Sequence, residues 1–93
     1  MLFRIWENEY DGSISLSPEG SRDDIQNRME SILYRLGFLE ERVAKVAEFQ
    51  ARTQLEAAQK RNEIMGWEEY HPARDENGNI YPEYLEDLDK KSK

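Results

Sequence analysis

Between Ile25 and Val46 the apolar residues of this chain recur at alternating steps of four and three: Ile25, Met29, Ile32, Leu36, Leu39, Val43 and Val46. Such spacing stays close to the 3.6-residue helical turn, so it places all seven on one stripe of an α-helix, the seam along which two helices pack. Continued onward, the frame meets Gln50, Thr53, Ala57, Lys60 and Ile64, and the seam turns polar after three heptads. A second stripe, Ala47, Ala51, Leu55 and Ala58, takes over on a rotated face, where small side chains admit close approach of another helix.

Local chemistry agrees with a helix. Asp24 and Arg28, Glu41 and Lys45, Glu48 and Arg52, and Glu56 and Lys60 are acid-before-base pairs four residues apart, each worth about 0.3 kcal/mol on a helix surface. Ser21 with Asp24 three residues on reads as an N-cap, Pro18 and Gly20 prevent an earlier start, and Gly66 stands where a C-cap glycine belongs. Leu36-Gly37-Phe38 also has the form of a helix stop. The heptad frame crosses Gly37 without a phase shift, however, and no Pro, Asn or Asp follows, so the pattern favours one continuous helix over 21–65, about 65 Å long.

With 93 residues, 38% of them apolar, the chain is one small domain with little material for a deep core. It has no cysteine and a single histidine, His71, so neither a disulfide nor a His/Cys zinc site can staple it, and oligomerisation is the remaining device. The helix also has too little other chain to cover its seam. Self-association as a homodimer through Ile25, Met29, Ile32, Leu36, Leu39, Val43 and Val46 is the expectation, with parallel pairing slightly favoured. The absence of cysteine fits a reducing compartment, and the cytoplasm is the expected location. Met1 to Trp6 is followed at once by Glu7 and Glu9, which is no secretory leader, and no apolar run is long enough to span a membrane.

Charge divides the chain into three parts. Residues 1–20 sum to -3, residues 21–65 balance eight bases against eight acids, and residues 66–93 sum to -4, giving -7 in all. In the first part Phe3 and Ile5 alternate as in a strand, as do Ile14 and Leu16, with Asp11-Gly12 as a turn between them. An extended arm or hairpin is expected there. In the last part Asn77-Gly78 marks a turn flanked by Pro72 and Pro82, and Pro82 through Leu88 suggests a short terminal helix. The expected fold is mainly α: one long amphipathic coiled-coil-type helix at 21–65, a short N-terminal extended or hairpin segment at 1–20, and an acidic, aromatic tail at 66–93.

Catalytic, cofactor and metal chemistry is not indicated. Asp75, Asn77, Asn79, Tyr81, Glu83 and Glu86 have the spacing of a calcium loop, but Ile80 occupies the position where the sharp turn needs glycine. Glu68 and His71 have a di-iron spacing without the further carboxylates such a site requires. No nucleophile motif or phosphate-binding glycine loop occurs. The eight bases of the central segment are cancelled by eight acids, so direct nucleic-acid binding is not expected either. The sequence points instead to a non-enzymatic protein–protein interaction module, an oligomeric adaptor or assembly component, with no small-molecule substrate. Its partner, one with a basic surface, would meet Trp67, Glu68, Glu69, Tyr70, Asp75, Glu76, Tyr81, Tyr84, Glu86 and Asp87, rings anchoring and acids steering. The alternative is a small acidic inhibitor that occupies a nucleic-acid-binding enzyme by mimicking DNA.

Overall fold

The computed structural model describes residues 1–91; Ser92 and Lys93, the end of the expected tail, lie outside the described residues. Elements follow in the order β1 (Leu2–Asn8), β2 (Ser13–Pro18), α1 (Arg22–Arg35), β3 (Val43–Gln50), α2 (Gln54–Met65), a 3-10 turn at Pro82–Tyr84 and α3 (Leu88–Lys91). Two compact units result, one of residues 2–49 and one of Met1 with residues 50–93.

In the first unit β1 and β2 form an antiparallel hairpin in which Phe3 lies opposite Pro18 and Asn8 opposite Ser13. Its loop closes through the Gly12 N–H donating to the Asn8 carbonyl at 2.8 Å. The antiparallel sheet has the order β2-β1-β3, so β1 is central and the chain crosses from one edge to the other through α1. Being central, β1 buries residues of both its faces. Phe3 and Ile5 lie on one, where Phe3 stacks on Phe49 of β3 at 6.0 Å, while Trp6 and the partly buried Arg4 lie on the face that carries α1. Ser21 caps α1, its hydroxyl accepting from the Asp24 N–H at 3.3 Å.

The expected long helix is not present. α1 stops at Arg35, and Gly37 takes φ +85° while its N–H donates to the Tyr34 carbonyl and the Phe38 N–H donates to the Leu33 carbonyl. That double reach satisfies the last carbonyls of the helix and reverses the chain, a Schellman stop. Residues 43–50, placed on the helical seam by the four-three pattern, instead form β3, because β1 has a second edge whose N–H and C=O groups need partners. The mainly α, coiled-coil reading is therefore corrected to a small α+β protein with three antiparallel strands in one sheet and two main helices. Among the described residues no helix is long and apolar enough to cross a membrane.

In the second unit Thr53 caps α2 by accepting from the Glu56 N–H at 3.0 Å, and the helix ends at Gly66, φ +72°, with the Trp67 N–H donating to the Asn62 carbonyl. The chain then folds back on α2. The Arg61 guanidinium lies 5.6 Å from the Trp67 ring centre and 5.7 Å from that of Tyr70, and the Asn62 amide donates to the Glu68 carbonyl at 3.0 Å. Arg74 and Ile80 bridge across a loop closed by the Asp75 carboxylate, which accepts from the Asn77 and Asn79 N–H groups. The single short helix expected from Pro82 is instead the 3-10 turn and, separately, α3. The Leu88 N–H donates to the Arg52 carbonyl, and Asp87 pairs with Arg52 at 2.6 Å.

Candidate functional site

α1 lies on the sheet with its polar side inward. Asp24 is buried, and Asn27, Ser31 and Tyr34, three, seven and ten residues further on, share its half-covered stripe. The opposite stripe is apolar and open to solvent: Ile25 is 49% exposed, Met29 57%, Ile32 37% and Leu36, the C-cap residue, 65%. A helix on a sheet ordinarily does the reverse, because burial of the apolar stripe is what holds it there. The residues expected to self-associate thus part company. Ile25, Met29, Ile32 and Leu36 share one exposed face, Leu39 lies in the following loop, Val46 is exposed on β3, and Val43 is buried.

Asp24 ties α1 to the central strand. Its carboxylate accepts from the Trp6 indole N–H at 2.9 Å, from the Arg4 guanidinium at 2.8 Å and from the Gly20 N–H at 3.0 Å, at 1% exposure. Burial alone would raise the pKa of this carboxyl, but the donors from Trp6, Gly20 and Arg4 outweigh it and hold the value below the usual 3.8. Arg4 also reaches Glu48 of β3 at 3.3 Å and Glu19 at 3.5 Å, so one guanidinium ties the central strand to an edge strand and to the start of α1.

Because Asp24 points into the sheet, its expected helical partner Arg28 is left without it. Arg28 and Arg35, two turns apart, border an open groove of about 500 Å³ between α1 and β3. Among the described residues Arg4, Arg28, Arg35, Arg42 and Lys45 line it, and no acidic residue does. Arg42 pairs with Glu9 at 2.8 Å and Lys45 with Glu48 at 3.3 Å, while among the described residues Arg28 and Arg35 have no acidic partner. Sequence reasoning missed this cluster, since the cations come from β1, α1 and the start of β3 and cancel against acids when counted along the chain. The spacing of seven between Arg28 and Arg35, which puts both on one helix face, was the available signal.

The expected partner-binding residues of the tail are spread through the second unit. Trp67, Glu68, Glu69, Glu76, Tyr81 and Glu86 are exposed, whereas Tyr70, Asp75, Tyr84 and Asp87 are partly covered. Several have internal work: Trp67 and Tyr70 hold Arg61, Asp75 closes its own loop and Asp87 holds Arg52. Among the described residues no group of three or more His, Asp or Glu is placed to hold a metal ion, and His71 is exposed. Compared with protein-family models, with curated proteins and with solved structures, the chain matches none.

Proposed function

We propose that this protein is a non-enzymatic protein–protein interaction module that assembles as a homodimer through the outward face of α1 and offers its acidic tail to a further protein. The observation that supports the reading is the orientation of α1, which leaves Ile25, Met29, Ile32 and Leu36 as a continuous apolar stripe in water. Contiguous exposed apolar surface of this kind marks association sites. A second copy of α1 fits best in parallel. Antiparallel pairing of Ile25 with Leu36 and of Met29 with Ile32 would set Arg28 beside Arg35 of the second copy, whereas parallel pairing sets Arg28 beside Leu33 and leaves no like-charge contact. A cytoplasmic location accompanies the reading, since the chain has no cysteine to use in an oxidising compartment.

The test follows from the stripe lying outside the monomer's core. Met29→Lys with Ile32→Lys should convert the dimer to a monomer, read by light scattering, with an unchanged circular dichroism spectrum. A wild-type protein that is monomeric at about 100 µM, a concentration at which an interface with a free energy near 8 kcal/mol is saturated, removes the reading.

A further inference from the structure

We propose that the groove between α1 and β3 is a binding site for a compact polyphosphate, of the nucleoside di- or triphosphate class. The assignment goes beyond association through α1 and does not depend on it.

Charge density and size together select the ligand. Arg28 and Arg35 come from α1 and Arg42 and Lys45 from the β3 side, with no carboxylate among the described lining residues; Arg4, which also lines the groove, keeps its own partners Asp24, Glu48 and Glu19. Arg28 and Arg35 have no acidic partner among the described residues, and the acids on Arg42 and Lys45 are solvent-exposed, so exchanging them for a ligand costs little. A guanidinium presents a planar fork of donors that matches phosphate oxygens two at a time, and two forks facing a further cation clamp a group carrying several charges within a few ångströms. An acidic peptide spreads its charge at one carboxylate per residue and would leave part of this cluster unmatched.

Size argues against a nucleic-acid strand. The whole chain carries -7, so phosphates projecting beyond the groove would meet a repulsive surface. A ligand contained in about 500 Å³ avoids this, and that volume lies within the roughly 300–1,000 Å³ of small-molecule sites. Tyr34, from α1 like Arg28 and Arg35, supplies a ring and a hydroxyl, and Trp6, which also lines the groove, keeps its indole N–H on Asp24, so its orientation is fixed before any ligand enters.

Amide chemical shifts of the full chain, followed by NMR at low salt during addition of ATP, sodium pyrophosphate, adenosine or hexathymidylate, test the site. ATP and pyrophosphate should shift the amides of Ser31, Tyr34 and Ala44 with dissociation constants below about 1 mM, and adenosine should not. Arg28→Glu with Arg35→Glu should weaken both by at least about tenfold, the neutral pair Arg28→Gln with Arg35→Gln by less, and Arg22→Glu, outside the groove, should have no effect. Absence of shifts, shifts elsewhere, equal loss in the Arg22 variant, or tighter binding of hexathymidylate than of ATP would each overturn the assignment.

Discussion

Asp24 joins a helix to the central strand through a buried carboxylate, and its position explains how. It lies in the first turn of α1, where backbone N–H groups favour an anion, yet it is turned toward Arg4 and Trp6 of the central strand. Asp24→Ala would leave the indole N–H and the Gly20 N–H without an acceptor and remove one of the three carboxylates on Arg4, and should cost about 3 kcal/mol in urea unfolding. Asp24 also sets a pH dependence. Its folded pKa lies below 3.8, so the stabilisation is present above that value and is lost as pH falls through the lower folded value. Glu48, whose pKa is lowered first by Arg4 and then by Lys45, acts in the same direction. Unfolding free energies at about pH 7 and pH 3 should therefore differ by less in Asp24→Asn than in the wild type. The network was not legible from sequence because Asp24 had a nearer partner on paper, Arg28, and nothing local says that the helix turns this acid inward.

At the scale of elements, two tripeptides have one form, Leu36-Gly37-Phe38 and Met65-Gly66-Trp67. Both end a helix in the same double hydrogen bond, with glycine at φ +85° and +72°. The second was readable because the apolar pattern weakens there; at Gly37 it runs on, since Leu39, Val43 and Val46 keep the four-three steps, although in the strand Val43 and Val46 fall on opposite faces, one buried and one exposed. Extension of residues 43–50 is decided by β1, forty residues away, and by the stacking of Phe3 on Phe49, which no local window contains. Ser21 as a cap and the alternation of Phe3 and Ile5, both visible in the sequence, occupy those roles in the structure. Substitution separates the two readings of Gly37 by sign. Inside a helix Gly37→Ala would stabilise by about 1 kcal/mol. At φ +85° it should destabilise by about 1–2 kcal/mol, all of it backbone strain, because an added Cβ would have nothing within 4 Å. Thermal or urea unfolding of this single variant decides.

For the whole molecule, net charge is a poor guide to any one surface: a chain of -7 gathers a cluster of cations in one groove. The same charge makes opposite demands on the two proposed events. Two copies joining through apolar stripes bring -7 against -7, so raising salt from about 20 mM to about 500 mM should tighten the dimer by sedimentation, while phosphate binding in the groove should weaken. The sheet has its own part in this. Its order leaves β2 and β3 as edges, where unpaired backbone groups could template another strand. β2 ends in Pro18, which has no N–H to offer, and β3 carries Lys45 and Glu48, charged and exposed side by side. Neither border welcomes a stranger's backbone. If two copies do join through α1, such borders would steer them toward a discrete assembly that closes on itself, and away from fibres that grow without limit.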